Sequence, residues 1–175
     1  ITSAATTSTH PDAIRDMYQQ LLNGLGKTPN LLFVHCSVGC DIAAVIEVVR
    51  SLTPGVAIHG GTSCKGVMTQ AGVASHDDIG LAMLALADAE GSFGVGAAAI
   101  DGNPTLAAQT AINQALANAD CPGDVPAMVW LTAVPRHEEE LLAGIYTVLG
   151  EDVPVAGGSS ADNQLDGSWK QFTAE

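Results

Sequence analysis

Two stretches of this chain, 97 residues apart, carry the same device. The first reads Pro54-Gly55-Val56-Ala57-Ile58-His59-Gly60-Gly61-Thr62-Ser63-Cys64. The second reads Asp152-Val153-Pro154-Val155-Ala156-Gly157-Gly158-Ser159-Ser160-Ala161-Asp162-Asn163. Each is an apolar run of strand length, then Gly-Gly, then two hydroxyl side chains. Largely β-branched apolar runs suit strands buried on both faces. A glycine pair at the end of such a run permits positive φ or a close approach by a ligand or another backbone. Hydroxyls fixed there both donate and accept hydrogen bonds.

The surroundings of the two devices also repeat. From Pro29 to Gly60 is 31 residues, and from Pro126 to Gly157 is again 31. Laid over one another without a gap, Leu32/Val129, Phe33/Trp130, Val34/Leu131, Asp41/Glu138 and Leu52/Leu149 correspond in character. Val56/Val153, Gly60/Gly157, Gly61/Gly158 and Ser63/Ser160 are identical. A helix is expected shortly before the first strand of each half, so each reads helix-strand-helix-strand. The pseudo-repeats run over about residues 11–100 and 104–175.

Local signals fill in the elements. Pro11 sits at a first helical position, Ile14, Met17, Leu21, Leu22 and Leu25 recur at helical spacing, and Gly26 caps the end. Residues 30–36 read as a buried strand, and Asp41 caps a helix carrying Ile42, Val45, Ile46 and Val49. The run 65–76 reads as an excursion without periodicity. The runs 78–87 and 92–100 are expected to be two antiparallel strands joined through residues 88–91. A helix is expected over 105–118, a strand over 127–132, a helix over 136–149, a strand over 153–156 and a further strand beginning near 168–172. Residues 1–10 read as an irregular start or linker. The fold class is therefore α/β: a mixed β-sheet flanked by helices, with a duplicated unit and a central β-hairpin. The second repeat is cut short by comparison with the first, so the architecture is expected to continue into a C-terminal domain.

Composition limits the function classes. A formal net charge of −13 opposes binding to nucleic acid and to anionic membranes. No apolar run approaches the ~18 residues of a membrane-spanning helix. Four cysteines do not make a disulfide framework in a chain of 175 residues, and they read as reduced thiols. His35, Cys36 and Cys40 invite a metal reading, but Cys36-x3-Cys40 has no second ligand pair at zinc-like spacing.

Three features resemble the N-terminal domain of the FIST family. They are Ile58-His59-Gly60-Gly61-Thr62-Ser63-Cys64-Lys65-Gly66, Asp77-Asp78 with the apolar run after it, and Pro154-Val155-Ala156-Gly157-Gly158-Ser159-Ser160-Ala161-Asp162-Asn163. The similarity covers the chain from about Pro11 onward. Cys64-Lys65-Gly66 departs from the small residue, Gly and acidic residue expected there. The resemblance implies a cytoplasmic sensory domain in signal transduction, not an enzyme, that binds a small molecule such as an amino acid or a related metabolite. It also implies a following C-terminal FIST domain and a signalling output protein as partners. Some members of the family are described as haem-binding sensors of nitric oxide.

The candidate ligand-binding residues are His59, Gly60, Gly61, Thr62, Ser63, Cys64, Lys65, Gly157, Gly158, Ser159, Ser160, Asp162 and Asn163. Two Gly-Gly-hydroxyl loops at strand ends suit an anionic or zwitterionic ligand, with Lys65 as the nearby cation. Asp162 and Asn163 either hold an amine or cap a turn. His59 and His35 read as core histidines, as ligand contacts or as haem axial ligands. His76-Asp77-Asp78 reads as a solvated turn. A Cys-His enzyme built from Cys64 or Ser63 with His59 or His35 is a further alternative, as is a purely structural or interaction module. No nucleophile-elbow, dinucleotide or phosphate-loop pattern is present.

Overall fold

The computed structural model describes residues 1–174. The chain divides into two compact units: Ile1–Ala89 joined by the chain from Ala161 onward, and Glu90–Ser160. The division is offset from the repeat boundaries, because residues 90–100 fall in the second unit and the chain after Ser160 in the first.

The first unit is built on a five-stranded mixed sheet. Its elements are β1 (Thr2–Thr6), α1 (Pro11–Leu25), β2 (Leu31–Ser37), α2 (Ile42–Leu52), β3 (Ala57–Ser63), β4 (Val67–Thr69), β5 (Gly72–Ala74) and β6 (Leu81–Leu86). α1 starts at Pro11, with the His10 Nδ1 accepting from the Asp12 N–H at 3.3 Å. Ile14, Met17, Tyr18 and Leu21 form its buried stripe, at the spacing that puts them on one helical face. The Asp41 carboxylate accepts from Ala44 N–H at 3.1 Å and so starts α2, which buries Val45 and Val49. Both stripes pack on Leu32, Val34, Cys36, Ile58, Leu81 and Met83, the inward residues of β2, β3 and β6.

The second unit holds α3 (Pro104–Asn118), β7 (Val129–Ala133), α4 (Glu138–Leu149) and β8 (Val155–Ser159). Its core is Ala108, Ile112, Leu116, Ala133, Leu141 and Ile145. Back in the first unit, β9 (Gln171–Thr173) completes the sheet, whose order is β1-β6-β2-β3-β9.

The repeat holds to the level of strand register. β2 and β3 are parallel, with Leu32 opposite Ile58, Val34 opposite Gly60 and Cys36 opposite Thr62. β7 and β8 are also parallel, with Val129 opposite Val155, Leu131 opposite Gly157 and Ala133 opposite Ser159. Every pair in the second ladder is a pair of the first shifted by the 97 residues that separate the two devices, as two strand-helix-strand units of equal length require.

Four expectations are corrected. Residues 1–10 do not form only an irregular start, because Thr2–Thr6 pair antiparallel with β6 from Thr2–Ala85 to Thr6–Leu81. The central hairpin of residues 78–87 and 92–100 does not form. Both edges of β6 are occupied, by β1 and β2, leaving it no edge for residues 92–100. That segment instead lies along α3, where Ala97 N–H donates to Gln114 Oε1 at 2.9 Å and Asn118 Nδ2 donates to the Val95 carbonyl at 2.8 Å. The run 65–76 contains the small antiparallel pair β4–β5 rather than an irregular excursion. Finally, the Gly-Gly pairs are not in loops. Gly60 and Gly61 lie inside β3, and Gly157 and Gly158 inside β8.

Candidate functional site

In the first unit, β3 alternates between two surroundings. Ile58, Gly60 and Thr62 point to the helix-covered side with Leu32, Val34 and Cys36, while His59 and Gly61 share the other face with Phe33 and His35. Gly60 is required by packing: a Cβ there would lie 2.0 Å from the Phe172 ring of β9. Its residue type therefore belongs to the joint between β3 and β9, where Gly60 is opposite Phe172.

The face away from the helices holds two half-buried imidazoles. The His59 and Phe33 rings meet edge to face, with centroids 5.5 Å apart and planes at 67°. Burial holds the His59 pKa down at about 4, and the neighbouring His35 adds to the effect. Burial also lowers the His35 pKa, against a hydrogen bond with the Gly61 backbone that favours the protonated ring. Near neutral pH both rings are therefore uncharged, able to donate one hydrogen bond and accept another.

The end of β3 is pinned to the chain that returns after the second unit. Thr62 Oγ1 donates to the Ala161 carbonyl at 2.8 Å and accepts from Lys170 N–H at 3.0 Å. Its backbone carbonyl accepts from Ala161 N–H at 2.9 Å. Lys65 N–H donates to Asn163 Oδ1 at 2.7 Å, and Ser63 Oγ donates to the Gly66 carbonyl at 2.5 Å. Asp162 is buried and its carboxylate accepts from the N–H groups of Gln164, Leu165, Gly167 and Ser168. Desolvation pushes that carboxyl's pKa up, but the four backbone donors together outweigh it and hold it low. Of the two roles open to Asp162 and Asn163, the hydrogen bonds show turn organisation for Asp162 and a loop bridge for Asn163.

Lys65 has φ 58° and its ammonium lies 3.9 Å from Asp78, so its charge is shared with a carboxylate. Cys64 is exposed. His76 closes a turn on Ile79, with Asp77 and Asp78 at φ 49° and 62°, which matches the solvated-turn reading.

In the second unit, Gly157, Gly158 and Ser159 are exposed along β8. Gly157 has φ 141°, and a Cβ there would lie 1.9 Å from the Leu131 carbonyl oxygen of β7. The Ser159 hydroxyl donates to Glu138 at the start of α4, and this hydrogen bond lowers the Glu138 pKa. Ser160 is buried, and its N–H donates to the Ala133 carbonyl at 3.0 Å.

The structure thus brings His59 to Lys65 together with Asp162 and Asn163 in the first unit. It also adds Phe33, Ala161, Lys170 and Phe172, which sequence reasoning did not select. The contacts of Ala161, Lys170 and Phe172 cross about a hundred residues of chain, and no local pattern announces them. Among the described residues, no group of three or more His, Cys, Asp or Glu is placed to hold a metal ion, and no helix is long and apolar enough to cross a membrane.

Against known families, the model described as the FIST N domain matches residues 30–174. That span contains β2, both strand-Gly-Gly-hydroxyl devices and β9. No curated protein matches the chain.

Proposed function

The chain belongs to the FIST N domain family, a family of sensory domains in signal transduction, and on that premise we propose that it binds a small metabolite without transforming it. The observation that carries this reading is the face of β2 and β3 away from the helices. It sets His35, His59 and Phe33 beside Gly61, at a strand whose end is tied down by Thr62 and Asn163. Uncharged imidazoles beside an aromatic ring offer directional hydrogen bonds in an apolar setting, the usual composition of a small-molecule site. The ligand class is a zwitterionic or anionic metabolite such as an amino acid, held by His35, His59, Gly61 and the Cys64-Lys65 turn. The second device contributes Gly157, Gly158 and Ser159 as an exposed strand for a separate contact. Signalling follows if the ligand binds one state of the domain better than the other and shifts their balance, to be read by a C-terminal FIST domain and an output protein in the cytoplasm.

The test is a thermal-shift titration with amino acids and small carboxylates, followed by the variants His59→Ala and Gly61→Val. A native-state ligand raises the melting temperature with concentration. Both variants are expected to weaken the response at least tenfold while keeping their helix content. Unchanged affinity in a folded double variant removes the site.

A second reading has its own observation. His35 lies opposite Gly61 on the neighbouring strand, two residues along from His59, and burial keeps its ring neutral, the form that ligates a metal. Neutral His35 or His59 would hold the iron of a haem, which when bound would supply a site for a diatomic gas. A Soret band on adding haemin, lost in His35→Ala or His59→Ala, supports it; a protein that stays colourless removes it.

A further inference from the structure

Cys36 and Cys40 take no part in the reading above, yet they are the two thiols brought together by the fold. Cys36 is the inward residue of β2 opposite Thr62 and Leu81, and is 0% exposed. Cys40 follows a tight turn closed by its own N–H donating to the Ser37 carbonyl at 2.9 Å, and is 7% exposed. Its Sγ lies 3.6 Å from the Ser37 hydroxyl and 3.7 Å from the Gly80 carbonyl. Gly80 directly precedes Leu81, the β6 partner of Cys36, so the Cys40 sulfur sits at the same end of the β2–β6 ladder as Cys36, and both belong to one buried cluster. Cys40 also immediately precedes the Asp41 cap of α2, at the end of a helix where negative charge is favoured.

The two thiols are electrostatically unlike. The neighbouring Cys36, helped by the Ser37 hydroxyl, draws the Cys40 pKa below that of an ordinary thiol against the opposing effect of burial. The same pairing, together with burial, raises that of Cys36. Cys121 lies in the second unit, and Cys64 is exposed at the turn after β3, so neither shares this arrangement.

We propose that Cys36 and Cys40 form a redox-active dithiol that hydroperoxides oxidise to an intramolecular disulfide, with Cys40 as the attacking sulfur and Cys36 as the resolving one. The Cys40 thiolate attacks one oxygen of the hydroperoxide. The O–O bond breaks, and the leaving oxygen departs with a proton as an alcohol, or as water when the oxidant is hydrogen peroxide. Cys40 is left as a sulfenic acid. The Cys36 sulfur then attacks the Cys40 sulfur, the S–S bond forms, the S–O bond breaks, and the hydroxide takes the Cys36 proton to leave as water. Two thiols lose two electrons and one O–O bond is reduced. The slight exposure of Cys40 admits a small oxidant, and the neighbouring Cys36 stops oxidation before the irreversible sulfinic stage.

The experiment treats the whole chain at neutral pH with equimolar hydrogen peroxide, alkylates the remaining thiols after denaturation, and analyses tryptic peptides by mass. The peptide spanning 28–50 contains both cysteines. It is expected to lose two hydrogens, to escape alkylation, and to recover both thiols on reduction, while Cys64 and Cys121 are alkylated. Cys36→Ser is expected to stop at a dimedone-reactive sulfenic acid on Cys40, and Cys40→Ser to leave Cys36 reduced at the same dose. Recovery of peptide 28–50 with both thiols alkylated overturns the proposal in the wild-type chain alone, whatever the variants do. Oxidation of Cys36 in Cys40→Ser at the wild-type rate overturns the assignment of roles.

Discussion

The two copies of the strand-Gly-Gly-hydroxyl device share a register but not a setting. β3 is flanked on both sides, by β2 and β9. The described residues pair β8 with β7 alone. Gly60 makes room for a side chain, the Phe172 ring, whereas Gly157 makes room for a backbone carbonyl, that of Leu131. Thr62 is buried and hydrogen-bonded to a distant loop, whereas its counterpart Ser159 is exposed and meets Glu138. The same sequence signature therefore serves two different packing problems, and only the first is joined to histidines.

The largest expected effects lie at the glycines. Gly157→Ala combines a left-handed φ with a collision against a ladder carbonyl that cannot turn aside, and is expected to cost about 3 kcal/mol in urea unfolding. Gly60→Ala meets only the edge of a ring that is able to tilt, and is expected to cost about 1–2 kcal/mol. Equal costs would break the distinction between a side-chain and a backbone neighbour.

The pH dependence of stability sharpens the comparison next. In the unfolded chain His59 takes up its proton near pH 6.5, and in the folded chain only at about 4. Between those values the unfolded state binds more protons, so stability is full above pH 6.5 and falls as the pH drops to about 4. The loss attributable to His59 is about 3 kcal/mol. The equivalent residue in the second copy is Ala156, which does not titrate. His59→Phe is expected to flatten the acid limb of the stability curve between pH 6.5 and 4; a curve that keeps its slope contradicts the buried neutral ring.

The smallest contrast is between the hydroxyls. Thr62→Val takes away the acceptor of Lys170 N–H and the donor to Ala161, and is expected to cost about 2 kcal/mol. Ser159→Ala removes one exposed contact and is expected to stay within about 0.5 kcal/mol. Amide exchange at Lys170, faster in Thr62→Val alone, identifies the joint directly.

Much of this was legible beforehand because it depends on near neighbours. The caps His10-Pro11, Asp41 and Asn103-Pro104 set the starts of three helices within the residues that form them. Equal spacing in the two halves anticipated equal registers, since the length of a strand-helix-strand unit fixes which residues meet. The candidate site was legible as a pair of stretches, but the surroundings of each residue were not. Gly60 looked like a loop glycine, and its reason is Phe172, more than a hundred positions away. Asp162 looked like a ligand contact or a cap, and four amides of the loop that follows decided for the cap.

The sequence by itself determined the α/β class, the duplicated unit and the positions of the helices, because capping, periodicity and spacing act over a few turns of chain. Tertiary structure alone decided which edges of the sheet are filled. β6 accepts β1 in place of the expected hairpin partner, and β3 accepts β9. A strand's own residues specify its faces, but its edge is a row of backbone donors and acceptors that any chain segment is able to satisfy.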